Sequence, residues 1–412
     1  MKHALVFCGR SHHAERLMGA YEGLKRGGWQ VDFCTCSNSL NLDPHTETLL
    51  QNNLPFLFNL DYIQTDDDKR QIDKLTHQTL ETIRGNGTGV SITDDWRNAI
   101  EPFWAVHSVR EACELIVSWR KMLDAEKPDV VLGLHANNFF FRPLAHVAKE
   151  RHIPVVCFAE GLLRARDQST QNKQTLAGDA VSLICVWSNS QKNAYLQAGI
   201  PESHLAVCGM PHLDHWLQAK DNPLWHEQAR AELGLKKDQK LIVFAMPILS
   251  RFEGNPQEAL DAVRDWAFGK PYRVLIKMHP FDPQDSEDKI KELYPGFMVR
   301  RTGEAAPFFL LSDLVLTQHS TTIIEAIAFG KPAVEFDASG VGILESKAQE
   351  GVAVHVTKKN IGDLDRILSG ELKLDEDRLR VWREENLGPL DSRSVSRVVD
   401  EIEKLVDKSH VL

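Results

Sequence analysis

Three short stretches of this chain put reactive polar side chains where a strand gives way to a turn. The first runs from Asp313 to Pro332. A β-branched run ends at Thr317, Gln318-His319-Ser320-Thr321-Thr322 follows, Glu325 lies in the first turn of an apolar helix, and Gly330-Lys331-Pro332 ends that helix. Hydroxyls and free backbone N–H groups at a helix start make an anion site, each favourable contact with the helix dipole being worth about 0.3–1 kcal/mol. Phosphate fits such a site; an ordinary N-cap at Ser320 or Thr321, with Glu325 facing the dipole, fits the residues equally well. The second stretch is Arg273-Val274-Leu275-Ile276-Lys277-Met278-His279-Pro280. In a strand of period two, Arg273, Leu275, Lys277 and His279 share a face, and Pro280 stops the strand just past His279. A histidine at that end can donate to a phosphate oxygen or offset the charge of a leaving phosphate, through a bond worth roughly 1.5–3 kcal/mol. Its plainer role is to cap a turn. In the third stretch the run Val155–Phe158 enters Ala159-Glu160-Gly161. Burial beside apolar neighbours raises a carboxyl pKa toward the range of a general base that deprotonates an acceptor hydroxyl. Arg164 and Arg166, just beyond, suit an acidic sugar or an exposed basic turn.

The elements that must position these residues alternate short β-branched runs with longer stretches at helical spacing, the pattern of parallel strands with crossover helices and of an α/β fold. Ala4–Cys8, a helix over 14–25, the Gly27-Gly28 stop and Gln30–Thr35 form the first βαβ unit. Residues 40–125 carry few strand signals and read as helices with long connections; Asp66-Asp67-Asp68 reads as a solvated loop, not as a metal site. Alternation resumes at Pro128–Gly133, and a second series starts at Lys240–Ala245. The expected organisation is a Rossmann-like domain over 1–213, a linker over 214–228, a second Rossmann-like domain over 229–385 and a helical segment over 386–412 that packs across both. Two such sheets place their strand ends around a common cleft. Gly9-Arg10-Ser11-His12-His13 follows the first strand, so Arg10, His12 and His13 are expected to line the acceptor side of that cleft as a loop. This loop lacks the three-glycine spacing of a dinucleotide fingerprint.

Composition narrows the classes. With 412 residues, 42% hydrophobic and 26% charged, the chain is long enough for two or three full cores and is not a disordered or low-complexity sequence. Lys+Arg is 48 against Asp+Glu 58, a net charge of −10, which gives no global basic field for nucleic acid. The seven cysteines are odd in number and lack Cys-x-x-Cys spacing, so they read as buried thiols of a reducing, cytoplasmic compartment. No apolar run approaches the length of a transmembrane helix. Lys404 and Lys408 with their apolar neighbours are the features that would touch a membrane face. Phe139-Phe140-Phe141 reads as a core anchor for a helix.

Together the carboxylate-glycine turn, the His-Pro at a strand end and the Ser/Thr cluster opening a later helix resemble three motifs of bacterial sialyltransferase-like enzymes. Kdo transferases and CDP-glycerol glycerophosphotransferases share parts of the pattern. The wider resemblance, over 130–340, is to GT-B glycosyltransferases and UDP-N-acetylglucosamine 2-epimerases. It implies two Rossmann-like domains, no metal and no cofactor. It also implies transfer of a sugar, such as an acidic Kdo or sialic acid, from a nucleotide donor, CMP favoured, to a surface polysaccharide or lipid-linked glycan. Carried over by motif, Glu160 is the general base and His279 the ligand of the leaving phosphate. Lys277, Pro280, Ser320, Thr321, Thr322 and Glu325 line the donor, with Glu325 on the ribose; Arg10, His12, His13 and Arg164 line the acceptor or sugar. Alternatives within the fold are a UDP-sugar transferase, a 2-epimerase and a glycerophosphotransferase. Outside it stands a non-catalytic nucleotide-sugar-binding protein.

Overall fold

Runs such as Ala4-Leu5-Val6-Phe7 and Leu241-Ile242-Val243-Phe244 are apolar at every position and fully buried. Such strands have no face to offer water and persist only in a parallel sheet covered by helices on both sides. The computed structural model describes residues 1–9, 11–36, 56–85, 101–134, 140–159, 161, 180–252, 254–280, 282–318, 322–340, 342 and 346–409, with backbone alone at 11, 12, 15, 83–85 and 101–107. Its strands form two sheets. β1 (His3–Phe7), β2 (Gln30–Thr35), β3 (Phe56–Phe58), β4 (Val130–Leu134), β5 (Val155–Phe158), β6 (Leu183–Val186) and β7 (Leu205–Val207) pair in parallel in the order 3-2-1-4-5-6-7. β8 (Lys240–Ala245), β9 (Tyr272–Lys277), β10 (Met298–Arg300), β11 (Leu314–Thr317), β12 (Ala333–Asp337) and β13 (Val354–Thr357) do the same in the order 10-9-8-11-12-13. Each sheet reverses its strand order once, between β1 and β4 and between β8 and β11, and ligands of open parallel sheets bind outside the carboxyl ends at such a point.

The first sheet is flanked by α1 (Ser11–Arg26), α2 (Asp66–Gly85), α3 (Glu101–Glu126), α4 (Phe141–Glu150) and α5 (Asn189–Gln197). Gly133 on β4 lets the Phe141 ring lie against the strand, since a Cβ there would sit 2.5 Å from a ring carbon. Phe141 is accordingly a buried core anchor. α6 (Asp214–Ala219) and α7 (Pro223–Glu232) join the sheets, so the polar stretch expected as a linker is largely helical. Asn222 caps α7 by accepting from the amides of Leu224 and Trp225. The second sheet carries α8 (Pro256–Ala267), α9 (Gln284–Leu293), α10 (Ala306–Leu311), α11 (Thr322–Ala328) and α12 (Asp363–Ser369). The chain then returns to the first sheet. Leu379 and Trp382 of α13 (Glu376–Asn386) share a core with Trp187, Met210 and the second sheet. Val398, Ile402 and Val406 of α14 (Ser394–Ser409) pack with Leu17, Ala20 and Leu24 of α1. Burying each of those three side chains contributes about 1.5–3 kcal/mol.

Two expectations for 40–125 change. β3 is a short edge strand whose three residues are only half-buried, too short and too exposed to show a period. Asp66, Asp67 and Asp68 are the first turn of α2, not a loop. Thr65 and Asp68 form a reciprocal cap: the Asp68 amide donates to Thr65 Oγ1 at 3.2 Å, and Asp68 Oδ2 accepts from the Thr65 amide at 2.9 Å. Lys121 of α3 contacts the same carboxylate, whose side chain is buried. Hydrogen bonding to Lys121 and then to Thr65 holds the Asp68 carboxyl down at about 2. A depressed folded-state pKa contributes stability that is complete above the unfolded value near 3.9 and is lost as pH falls through the folded one. Asp68→Asn is therefore expected to lower the urea midpoint at pH 5 and to show a much smaller deficit at pH 2, where most of that contribution has gone. An equal deficit at both pH values would contradict this.

All seven cysteines are buried, and none is joined to another. Among the described residues no helix is long and apolar enough to cross a membrane.

Candidate functional site

The second sheet places the residues expected on the donor side by simple strand geometry. β9 ends at Lys277, so Met278 passes its amide to the Arg300 carbonyl at 2.9 Å and His279 emerges half-buried at the carboxyl end. The turn that follows is stitched down by Asp282. Its amide donates to the His279 carbonyl at 3.0 Å, and its Oδ1 accepts from the Leu249 amide at 2.9 Å, joining the turn to the loop after β8. Asp282 is 2% exposed, and burial pushes its carboxyl above the usual aspartate value, against the backbone amides of Leu249 and His279 that hydrogen-bond to it. Pro280 is half-buried and its carbonyl accepts from Arg301 Nη1 at 3.1 Å.

Lys277 lies deeper than the strand end. Its side chain is buried, and Nζ donates to the carbonyls of Arg301 at 2.8 Å and Met278 at 3.1 Å. The face it shares with Leu275 packs into the core, so the amine ties β9 to the segment after β10. Thr322 opens α11, and Thr317 and Gln318 before it are buried. Ser320 and Thr321 lie outside the described residues, as do Glu160, Arg10 and Arg164.

The contact that makes these strand ends one site is unforeseen. Arg16, in the second turn of α1, reaches from the first sheet to Glu325 in the first turn of α11, with Nη2 2.8 Å from Oε1. The Glu325 side chain is 10% exposed and that of Arg16 26%. Beside them Trp216 of α6 donates its indole N–H to Glu304 at 2.6 Å, and Glu325, His215 and Arg16 all act electrostatically on Glu304. Residues from α1, the joining helix and the second sheet therefore converge on one acidic and basic cluster. Arg16 also lines a narrow pocket at the carboxyl ends of β4 to β6, with Leu134, Phe158, Ala159, Trp187 and His212.

On the first-sheet side, both neighbours of Glu160 are anchored. The Ala159 carbonyl accepts from Trp187 Nε1 at 3.0 Å and the Gly161 carbonyl from Gln191 Nε2 at 2.7 Å. Gln191 Oε1 in turn accepts from the Trp187 amide at 2.7 Å. The expected loop at Gly9–His13 is shorter than its sequence suggests. α1 begins at Ser11, His12 is helical and His13 is 2% exposed, so His13 packs inward and does not line an open loop. The same early helix start explains Arg16: it lies three residues after His13 on one helix face and so points along the strand ends. Trp216, His215 and Glu304 carried no motif; they lie on the helical joint and on a turn, where no period marks them.

No family model matches the chain. The fold itself is the two-sheet GT-B-like arrangement. Superposition on UDP-GlcNAc 2-epimerase from Neisseria meningitidis covers 98% of this chain and 100% of that one, with a TM-score of 0.64 at 15% identity. The wall teichoic acid polymerase TagF, in a structure soaked with CDPG, matches over 99% of this chain and 89% of its own, with a TM-score of 0.56 at 11% identity. CalG4, the calicheamicin glycosyltransferase, matches over 99% of both chains, with a TM-score of 0.55 at 14% identity. In sequence, the teichoic acid poly(ribitol-phosphate) polymerase of Bacillus spizizenii is 26% identical over 164 residues, 37% of this chain and 26% of that protein. This chain therefore spans about a quarter of the polymerase it matches.

Proposed function

We propose that this protein is a transferase that binds a nucleotide-activated donor against the second sheet and passes the activated group to a hydroxyl of a surface glycan or lipid-linked acceptor held on the first. The observation that carries the reading is the Arg16–Glu325 bridge, which brings the carboxyl ends of the two sheets to one cleft. In this scheme Glu160 takes the proton of the acceptor hydroxyl as that oxygen attacks the activated centre. The bond to the donor phosphate breaks, and His279 with Arg16 offsets the charge left on the nucleotide. Each such charge-assisted bond is worth roughly 1.5–3 kcal/mol, and closure of the cleft keeps water from the donor. The donor is a cytidine nucleotide: either a CMP-linked acidic sugar or a CDP-linked alditol. The first form rests on Arg164 and Arg166. The second is favoured by the sequence match to a ribitol-phosphate polymerase. A second reading, a UDP-sugar epimerase, is favoured by the correspondence with such an enzyme over 98% of the chain.

A thermal-shift panel of CMP, CDP, UDP, GDP and ADP, with and without magnesium, separates these readings. A ligand at 100 times its Kd stabilises by about 2.7 kcal/mol. The expected result is a cytidine-selective shift that His279→Ala abolishes. A UDP-selective shift turns the assignment to the epimerase, and turnover of UDP-GlcNAc without acceptor then completes it. No shift with any nucleotide overturns the donor site.

A further inference from the structure

Cations elsewhere in this acidic chain commonly face a carboxylate, as Arg151 faces Asp124 and Lys270 faces Asp365. Lys220, Arg230, Lys331 and Arg383 are different. They come from four separate places, the end of α6, α7, the turn between α11 and β12, and α13, yet they meet at the Gly330-Lys331 turn. A Cβ built on Gly330 would lie 3.8 Å from Lys220 Nζ and 4.0 Å from Arg383 Nη2, and the next residue, Lys331, feels the charges of Lys220 and Arg230. Among the described residues none of the four makes an ion pair with a carboxylate. Arg230 Nη2 donates to the Gln239 carbonyl at 2.7 Å, while Arg383 Nε is buried with no acceptor. An unpaired buried donor on a cation is costly, and four like charges repel, so nothing within the described protein accounts for the gathering. Among the described residues Asp313 is the carboxylate that acts on Lys331, and its Oδ2 already accepts from the Leu241 amide at 2.8 Å. The Lys331 amine is pushed below the usual lysine value, first by burial and then, against Asp313, by Lys220 and Arg230.

The cluster lies at the amino ends of β11 and β12, the end of the second sheet opposite to His279 and Thr317. It is therefore separate from the cleft and independent of any reading of the cleft. We propose that Lys220, Arg230, Lys331 and Arg383 form a second anion site, built to hold a phosphate group. The chemistry favours phosphate over a carboxylate. Two guanidinium groups offer planar paired donors, two ammonium groups offer point charges, and a tetrahedral anion of charge near two can face all four. Such a group arrives either on a soluble phosphorylated saccharide or polymer, or as the headgroup of an anionic lipid. Binding recovers the missing acceptor of Arg383 and relieves the repulsion around Lys331.

Inorganic pyrophosphate is the probe, titrated calorimetrically into the full chain and into Lys331→Gln/Arg383→Gln. The expected result is binding that weakens at least tenfold in the double variant, with cleft nucleotide affinity within twofold of wild type. Lys220→Gln, an exposed position that does not threaten folding, is expected to weaken pyrophosphate several-fold by itself. Removing like charges should also leave the unliganded variants no less heat-stable than wild type. Sedimentation with phosphatidylglycerol vesicles, against phosphatidylcholine, distinguishes the sources. Vesicle binding lost in the double variant identifies a lipid headgroup, and pyrophosphate binding without vesicle binding identifies a soluble ligand. Pyrophosphate affinity unchanged by both sets of substitutions, or no pyrophosphate binding by wild type, overturns the proposal.

Discussion

Arg16→Met should loosen the junction of the two sheets and weaken donor binding at least tenfold. Removing the arginine leaves Glu325, 10% exposed, without its cation and with Glu304 nearby. Hydrogen bonds to charged groups are worth about 1.5–3 kcal/mol, and the partial exposure of Arg16 discounts that toward roughly 1–2 kcal/mol through solvent screening. A loss of 1.4 kcal/mol is tenfold in affinity, and the donor loses both a cation from the first sheet and the clamp that orients Glu325. A double-mutant cycle of Arg16→Met and Glu325→Gln in urea unfolding isolates the pair. The two single deficits should exceed the double by about 1 kcal/mol. Simple additivity would show that the bridge contributes nothing to the junction, and unchanged donor affinity in Arg16→Met would remove it from the site.

That bridge also marks where the sequence stops being legible. The strands that end at Phe158, Lys277 and Thr317 follow from apolar runs closed by a glycine turn, a proline and a polar hydroxyl cluster respectively, because a buried parallel strand leaves its residues no other pattern. The α/β class and the series beginning near 130 and 240 are readable for the same reason. His279 is readable because Pro280 must stop the strand. Arg16 is not: its partner is 309 residues away, and only the docking of two sheets brings them together. Lys277 shows how far the period reaches. Period two correctly puts it on the face of Leu275, but only the packing of that face against helices shows that the amine is buried and donates to the carbonyls of Met278 and Arg301. The acidic run at 66–68 has loop-like composition. A threonine before it and a lysine on a distant helix make it a helix start. Local composition cannot report a contact closed by tertiary packing.

Gly388→Ala should be the most damaging glycine-to-alanine substitution among the described residues. Gly388 follows α13, where the chain crosses back to the first sheet, and its φ is +73°. A Cβ there would lie 2.0 Å from the Trp187 carbonyl oxygen and 3.0 Å from its carbon, both backbone atoms of a buried strand end. Left-handed strain alone contributes about 1–2 kcal/mol. A backbone clash of that depth cannot be relieved by a rotamer change, so the total should exceed about 4 kcal/mol, the range reserved for named structural failures. Two other glycines separate the causes. Gly269 has φ +73° with nothing within 4 Å of a built Cβ, so its alanine variant should show the strain alone. Gly296 has neither feature and should be near neutral. Urea unfolding of the three alanine variants tests the order; equal midpoints for the 269 and 388 variants would show that the crossover yields to the methyl group. The damage at 388 should also reach the site. Trp187 holds the Ala159 carbonyl beside Glu160, so any folded Gly388→Ala that displaces the Trp187 backbone moves the candidate base with it. Its transfer rate should fall further than its donor affinity, whereas a purely structural lesion would lower the folded fraction and leave the two ratios together.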